Sequence, residues 1–341
     1  MTPLEIFAQG CVIPAHPLAL TADRRLDEKR QKAVGRYYAA SGAGGLAVGV
    51  HTTQFPIHDN GMLKPVLEIA IEAAHEARRP MAMIAGVQGN VAQAVREAEQ
   101  ARALGYHLAL LRPAPGNDDE MIARATAVGE VLPVVGFYLQ PAVGGQILSR
   151  QFWQRFAALD CVAGIKIAPF DRYRTLDVLN GVARSDRAER VALYTGNDNN
   201  FIGDLLSPYP LDTGSGTVEL RFVGGLLGQF AVWTKRAVEL LDSAKRANAG
   251  DNAALRDLMR IDGPFTDANA ALFDVANNFH GCIAGINEIL ARQGLLAGRW
   301  CLDPHEDLSP GQAAEIDRVT RSYPHLTDDA FVAEHLDRWL R

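Results

Sequence analysis

Lys166 is the residue of this chain with the clearest chemical potential. It lies in the middle of CVAGIKIAPFD, residues 161–171, an apolar run that predicts a buried strand. Side chains alternate along a strand, so Lys166 shares its face mainly with small residues such as Gly164 and Ala168. Burial lowers the pKa of a lysine, and the neutral amine is a nucleophile that forms a Schiff base with a carbonyl compound. The alternative is an edge-strand lysine whose ammonium group reaches water.

Tyr138 lies one structural unit upstream and offers a second reactive group. It belongs to LPVVGFYLQPAVGG, residues 132–145, a short apolar strand that breaks at Pro141. Both Tyr138 and Lys166 are near the C-terminal ends of their strands, and in a parallel barrel these ends face one mouth. A phenol there can shuttle the protons that Schiff-base formation and carbon–carbon cleavage require. The alternative is a core or interface tyrosine.

The rest of the chain alternates strands with helices. Further apolar runs predict strands at residues 11–14, 45–50, 81–87, 106–111, 191–195 and 217–225. Helices are predicted at about 27–40, 64–79, 91–104, 119–128, 150–159, 173–182, 227–247, 265–279, 283–293, 311–323 and 328–340. Continuously apolar strands between helices indicate a parallel sheet, and eight such units over about 240 residues have the size of a (β/α)8 barrel. We expect an α/β fold: a TIM barrel over residues 1–248 with a C-terminal helical extension, residues 249–341, packed on it.

Composition excludes several classes of protein. The 341 residues are 48% hydrophobic and 22% charged, which is ordinary for a globular protein. A net charge of −6, without a lysine- and arginine-rich stripe, gives no footprint for nucleic acid. The N-terminal MTPLEIFAQG lacks a basic region before a long apolar run, and the four cysteines form no CxxC pair. We expect a cytoplasmic protein that contacts neither nucleic acid nor membranes.

Two other patterns have weaker chemical meaning. GAGGLA at 42–47 satisfies G-x-G-x-x-A, but its glycines precede a strand, whereas a dinucleotide fingerprint lies between a strand and its helix. His51, His58 and Asp59 follow the second strand and could bind a metal, as in a metal-dependent aldolase. Because a third clear ligand is missing, loop polar residues are the better interpretation.

Four segments then carry a resemblance to a known family. From about residue 10 to residue 250, the chain resembles the dihydrodipicolinate synthase and N-acetylneuraminate lyase superfamily of Schiff-base aldolases. GIK at 164–166 resembles the strand with the Schiff-base lysine, and YLQPAVGG at 138–145 resembles Y-N-x-P-x-x-x-G. IAGVQGN at 84–90 resembles the glycine-rich third strand, and TGND at 195–198 resembles S-G-D-D. The resemblance implies an imine on Lys166 and proton transfer by Tyr138.

The same resemblance implies where substrate binds. VHTTQF at 50–55 stands where the family has G-T-T-G-E-F, and an ungapped match sets His51 and Thr52 at its two threonine positions. Thr52 would then bind the carboxylate of a keto acid, although a shift of one residue gives this role to Thr53. Gly196 of TGND is the further residue implied in substrate binding.

Some positions depart from the synthases. The arginine that binds the second substrate's carboxylate falls at Val143, and the tyrosine pair after the fourth strand is replaced by Ala114 and Pro115. A buried carboxylate without its cation loses several kcal/mol of binding, so we do not expect dihydrodipicolinate synthase activity. Arg112 has no family counterpart, but it ends the fourth strand and could clamp a second carboxylate or a polyhydroxylated tail. A salt bridge to Asp118 or Asp119 is the alternative.

The sequence therefore predicts a lyase, either an aldolase or a dehydratase. Its substrate would be a 2-oxo acid such as pyruvate or a 2-keto-3-deoxy sugar acid, bound as an imine on Lys166. The imine is the electron sink, so we expect neither a metal nor an organic cofactor. A non-catalytic keto-acid-binding protein and a metal-dependent aldolase remain as alternatives. The family resemblance implies a homo-oligomer, either a dimer or a tetramer.

Overall fold

Eight parallel strands form the central sheet of the structure, a computed structural model that describes residues 1–112, 114 and 116–341. The strands in chain order are β1 (Val12–Pro14), β2 (Gly45–Val48), β3 (Ala82–Val87), β4 (Leu108–Leu111), β5 (Val134–Leu139), β6 (Val162–Ala168), β7 (Ala192–Thr195), the separate hairpin strands β8 (Tyr209–Asp212) and β9 (Thr217–Leu220), and β10 (Gly224–Leu227). Neighbours follow the order β1, β10, β7, β6, β5, β4, β3, β2. A parallel bridge between Ala15 and Ala47 then joins β1 to β2. The predicted (β/α)8 barrel is confirmed.

Helices cover the sheet and continue beyond it. They are α1 (Pro3–Gln9), α2 (Glu28–Ser41), α3 (Leu63–Glu76), α4 (Val91–Leu104), α5 (Asp118–Gly129), α6 (Arg150–Ala157), α7 (Arg172–Ala183), α8 (Phe201–Leu206), α9 (Thr234–Asn248), α10 (Asn252–Leu272), α11 (Cys282–Arg292), α12 (Gln312–Ser322) and α13 (Asp329–Trp339). Polar caps set several starts: the side chains of Asn90 and Ser149 accept hydrogen bonds from the backbone N–H groups three residues later. Within the described ranges, none of these helices is long and apolar enough to cross a membrane.

The predicted eighth strand needs a correction. The segment 217–225 was expected to form one barrel strand, but its first part, β9, pairs with β8 in an antiparallel hairpin outside the barrel. The eighth barrel strand is β10, which begins at Gly224. Barrel packing demands this glycine, because a Cβ on it would lie 2.4 Å from the backbone oxygen of Cys11. The helices α1 and α8 and the first half of α10 were also not predicted.

The barrel strands bury both of their faces. On β5, Phe137 and Leu139 point into the barrel, while Tyr138 points outward against the helices. Phe7 of α1 stacks on Tyr194 of β7, with ring centroids 4.7 Å apart, and fills the N-terminal end of the interior. Open space is therefore found toward the C-terminal ends of the strands, where barrel enzymes place their chemistry.

The C-terminal helices are tied to the barrel by a buried carboxylate. Asp328, just before α13, accepts hydrogen bonds from the Tyr37 hydroxyl at 2.7 Å and from the Lys235 backbone at 3.1 Å. Tyr37 in turn accepts a 2.7 Å hydrogen bond from the backbone N–H of Thr234. One hydroxyl thus links α2, the start of α9 and the C-terminal region. The predicted division at residue 248 stays a proposal.

We expect Tyr37→Phe to lower the free energy of unfolding by about 1–3 kcal/mol, because the buried Thr234 N–H and the Asp328 carboxylate each lose a partner. Urea denaturation followed by circular dichroism measures this loss. Tyr173→Phe is the control, since Tyr173 is 82% exposed and its hydroxyl should contribute little. Equal stability of the two variants would show that the Tyr37 link carries no free energy.

Candidate active site

Lys166 lies inside the barrel on β6. Its side chain is 5% exposed, and its Nζ lies 4.3 Å from the centroid of the Phe137 ring. Gly196, at the end of the neighbouring strand β7, leaves the room that this side chain occupies. A Cβ at Gly196 would lie 3.0 Å from Lys166 Cε and 2.7 Å from the Cβ of Ala168. Gly196, which the family resemblance implied in substrate binding, thus lies directly beside Lys166.

Asp198 is the carboxylate whose negative charge acts on Lys166. Burial lowers the pKa of Lys166, and the negative charge of Asp198 partly opposes that shift. Burial also raises the pKa of Asp198, although the Gln229 backbone N–H donates to its Oδ1 at 2.8 Å and favours the charged form. The two groups therefore share a dry site in which the amine is easier to deprotonate than an exposed lysine.

The lysine opens into a narrow cavity of about 50 Å³ at the C-terminal ends of the strands. Five of its lining side chains are polar or charged: His51, Thr52, Gln140, Lys166 and Asp198. The remaining lining residues are apolar or small, namely Ala15, Phe137, Leu139, Val143, Ala168, Phe170, Gly196, Gly228, Phe273, Phe279, Cys282 and Ile286. The cavity thus combines a buried amine with mainly hydrophobic walls, as small-molecule sites commonly do.

Tyr138 does not lie in this cavity, so its predicted placement beside Lys166 is wrong. In the register of β5 and β6, Phe137 pairs with Lys166 and Tyr138 pairs with Ile167, which points outward. The Tyr138 ring packs on Trp153 of α6, with centroids 5.2 Å apart. Its hydroxyl accepts a 3.4 Å hydrogen bond from the Leu148 backbone. Tyr138 is therefore a core residue between sheet and helices, which was the alternative interpretation.

The two threonines after β2 have different surroundings. Thr52 lines the cavity, and its hydroxyl donates to the backbone oxygen of Ala15 at 2.7 Å. Thr53 is fully buried, where its hydroxyl donates to His16 O at 2.6 Å and accepts from the backbone of Gly49 and Val50. The geometry therefore favours Thr52 over Thr53 as a residue that can contact substrate.

Arg112 borders a neighbouring cavity of about 400 Å³ that shares none of the lining residues named above. Its guanidinium carbon lies 3.7 Å from the centroid of the Phe55 ring, and its Nη1 donates to Gln88 Oε1 at 2.9 Å. Gln88 N in turn donates to Glu97 at 2.9 Å. The alternative partner Asp119 instead pairs with Arg155 at 2.5 Å. Of the replaced tyrosine pair, Ala114 borders this second cavity and Pro115 lies outside the described residues.

The two histidines after β2, His51 and His58, lie in different environments. His51 lines the cavity, and its pKa is lowered to about 4. Burial is the main cause, and the positive charges of Lys166 and Arg112 lower the pKa further. It is therefore neutral near pH 7, and the lowered pKa makes it a weaker base than an exposed histidine. His58 is held elsewhere: its Nε2 lies 2.8 Å from the backbone oxygen of Gly49, and its Nδ1 lies 3.0 Å from Glu97. The described residues contain no group of three or more histidine, cysteine, aspartate or glutamate side chains placed to hold a metal.

A buried network positions the loop above Lys166. Asp204 of α8 accepts hydrogen bonds from Thr195 at 2.7 Å and from Asn197 Nδ2 at 2.9 Å, and it also pairs with Arg172. Asn197 Oδ1 then accepts a 3.1 Å hydrogen bond from the backbone N–H of Phe170. The TGND segment thus fixes a phenylalanine at the cavity as well as supplying Gly196.

Sequence reasoning missed several residues of the site. Asp198 was within the TGND motif, and that motif was the signal for it. Phe137 was visible only as the neighbour of Tyr138. Phe273, Phe279, Cys282 and Ile286 come from the region after the barrel, and no local pattern connects them to Lys166.

No protein-family model and no curated protein sequence matches the chain. Solved structures do. Dihydrodipicolinate synthase from Oceanobacillus iheyensis superposes with a TM-score of 0.72 at 20% identity, covering 94% of this chain and 99% of that one. N-acetylneuraminate lyase from Fusobacterium nucleatum complexed with pyruvate gives a TM-score of 0.73 at 19% identity, covering 93% and 98%. The synthase from Bacteroides thetaiotaomicron gives 0.71 at 16% identity, covering 92% and 98%. The chain has the fold of these synthases and lyases, including the helical extension.

We expect Lys166 to react with formaldehyde and cyanoborohydride at lower pH than an exposed lysine. Its lowered pKa leaves a larger neutral fraction near pH 7, whereas ordinary lysines titrate near about 10.4. Mass spectrometry of peptides can follow methylation of Lys166 relative to the exposed Lys29 as pH rises. The ratio of Lys166 methylation to Lys29 methylation should be highest at the lowest pH and should fall as the pH approaches about 10. A constant ratio would contradict the proposed desolvation of this amine.

Proposed function

We propose that the protein is a lyase of the dihydrodipicolinate synthase and N-acetylneuraminate lyase superfamily that binds a 2-oxo acid as an imine on Lys166. The observation that carries the proposal is the buried Lys166, with a lowered pKa, at the active end of a barrel with this fold. The complex of the Fusobacterium lyase with pyruvate supports a 2-oxo acid as the ligand. A neutral amine attacks a ketone carbon, and loss of water gives the imine.

Asp198 is suited to the proton transfers at nitrogen. It is buried, its raised pKa keeps both protonation states accessible, and its charge acts directly on Lys166. In this role it would protonate the departing hydroxyl when the imine forms and activate water when the imine is hydrolysed. The protonated imine then withdraws electrons from the adjacent carbon, so carbon–carbon or carbon–oxygen cleavage needs no separate electron sink.

His51 is suited to the proton transfers at carbon. It is neutral and lines the same cavity from the segment after β2, whereas Lys166 is on β6 and Asp198 lies just after β7. We assign it the part that the sequence had assigned to Tyr138. Thr52 is assigned to the carboxylate of the substrate, for which its hydroxyl must turn away from the oxygen of Ala15.

The second substrate of dihydrodipicolinate synthase fits this cavity poorly. Val143 lines the wall where the family resemblance implies the synthase arginine, and Arg112 borders a separate cavity with its guanidinium on the Phe55 ring. We therefore assign aldol cleavage or dehydration of another 2-oxo acid, and we retain a homo-oligomer as part of the proposal. A non-catalytic keto-acid-binding protein is the second candidate, favoured by the outward position of Tyr138.

Pyruvate and borohydride should add covalent mass at Lys166, because the reduced imine is stable. Peptide mass spectrometry locates the adduct. Lys166→Arg, which keeps a cation but cannot form the imine, should abolish labelling while leaving the circular dichroism spectrum unchanged. Labelling at a different lysine, or no labelling across a panel of 2-oxo acids, would refute the assignment.

His51→Gln should slow the exchange of the methyl protons of pyruvate with deuterated water by about 10²–10⁴-fold, because exchange needs a base at carbon. Tyr138→Phe is the control and should exchange at nearly the normal rate. NMR measures exchange, and borohydride trapping measures imine formation separately. The assignment of His51 fails if its variant exchanges normally, or if the Tyr138 variant loses exchange while still forming the imine.

A further inference from the structure

The polar groups of the cavity are gathered around the reacting end of a substrate. Lys166 on β6 and Asp198 just after β7 line the same cavity, and Thr52 and His51 come from the segment after β2. In the proposed function these four groups bind or transform the 2-oxo acid itself. Among the described residues that line the cavity, Gln140, just after β5, is the one further amide or charged side chain left for the rest of the substrate.

The remaining wall is hydrophobic and largely aromatic. Its larger side chains are Phe137, Leu139, Val143, Phe170, Phe273, Phe279 and Ile286. A polyhydroxylated tail placed against this wall would lose its hydrogen bonds to water without gaining protein partners, which is unfavourable. An apolar tail would gain from leaving water, and a flat ring can pack on phenylalanine rings.

Two of these phenylalanines are held in an unusual backbone conformation. Phe170 has φ of 55° and Phe279 has φ of 66°, in the left-handed region that residues with a Cβ seldom adopt. Their rings lie 5.7 Å apart at an interplanar angle of 61°, and the network through Asn197 holds Phe170 in place. Strain of this kind persists where the surroundings impose it, and it concentrates at ligand sites. The aromatic pair is therefore a built feature of the cavity.

The neighbouring polar cavity is separate from the cavity of Lys166 in the set of described residues that line it. That cavity is bordered by Arg112, Gln88 and Gln146, and it has no lining residue in common with the cavity of Lys166. Phe55, stacked on Arg112, and the half-buried Val143 lie at the boundary between them. The ring of Phe55 thus lies between the Arg112 guanidinium and His51 of the Lys166 cavity.

We propose, building on the function assigned above, that the substrate is a 4-hydroxy-2-oxo acid that carries an aromatic group on C4. The aromatic group packs against the wall to which Phe170 and Phe279 contribute, while the 2-oxo acid reaches Lys166. The enzyme then separates pyruvate from an aromatic aldehyde, or joins them in the reverse direction. This choice excludes the 2-keto-3-deoxy sugar acids that the sequence had left open.

The reaction balances without another reactant. Lys166 and the C2 ketone form the imine and release one water. His51 takes the proton of the C4 hydroxyl, the C3–C4 bond breaks, C4 becomes the aldehyde carbon, and the electron pair passes through C2–C3 to the imine nitrogen. His51 returns the proton to C3, and water hydrolyses the imine to pyruvate and the free amine.

Retro-aldol assays with two substrates that share the same head can test this. The first is 4-hydroxy-2-oxo-4-phenylbutanoate, and the second is 2-keto-3-deoxygluconate; released pyruvate is measured for both. We expect kcat/KM to be at least about 10–100-fold higher for the phenyl substrate, the range that hydrophobic pockets commonly achieve. Phe279→Ala should reduce that preference about 10-fold or more, measured as the ratio of the two kcat/KM values within the same variant.

Val275→Ala is the matched control, because Val275 is in the same loop as Phe279, is 47% exposed and does not line the cavity. It should leave the preference unchanged. Faster cleavage of the sugar acid, cleavage of neither compound despite pyruvate trapping, or an unchanged preference in Phe279→Ala would each overturn the inference while the imine chemistry stands. Absence of pyruvate trapping would instead remove the proposed function on which it rests.

Discussion

The rest of the site depends on one constraint, which is that the amine of Lys166 is buried inside the barrel. Desolvation favours neutral Lys166, while Asp198 favours its charged form. No carboxylate of the described residues lies within 4.0 Å of Lys166 Nζ, so no direct ion pair holds the ammonium in place. A direct contact would stabilise the charged amine and make it a poorer nucleophile. The longer-range interaction with Asp198 leaves the amine of Lys166 able to lose its proton. Asp198 still lies in the same cavity as an acidic group.

The barrel and the position of its lysine could be predicted from the sequence because both follow from strong local patterns. Apolar runs separated by amphipathic helices define β/α units, and Lys166 lies in a strand whose inward neighbours are small. Gly196 fits the same reasoning, since only a residue without a side chain leaves room for Lys166 Cε. These features depend on the hydrophobic pattern of each strand and helix and on their order along the chain, and both can be read from a single sequence.

The placement of Tyr138 could not be predicted in the same way. Both faces of a barrel strand are apolar, because one faces the interior and the other faces the helices. An apolar run such as VVGFYL therefore does not tell which alternate set points inward, and a difference of one residue exchanges the two faces. The structure places Phe137 inside and Tyr138 outside. The motif resemblance assigned Tyr138 to β5 and Lys166 to β6, but it did not determine which face of β5 Tyr138 occupies.

The residues contributed by the C-terminal region were beyond sequence reasoning for another reason: they depend on contacts between distant segments. Asp274, with φ of 56°, accepts hydrogen bonds from Gly281 N at 2.9 Å and from Ser309 Oγ at 2.5 Å. These bonds close the turn that carries Phe279, and Ser309 comes from the chain just before α12. The conformation of one part of the cavity wall is therefore fixed by a contact within the extension, whereas Lys166 is fixed by the barrel. In the proposed enzyme, changes in the extension can therefore alter the part of the wall that contains Phe279 without altering the strand that positions Lys166.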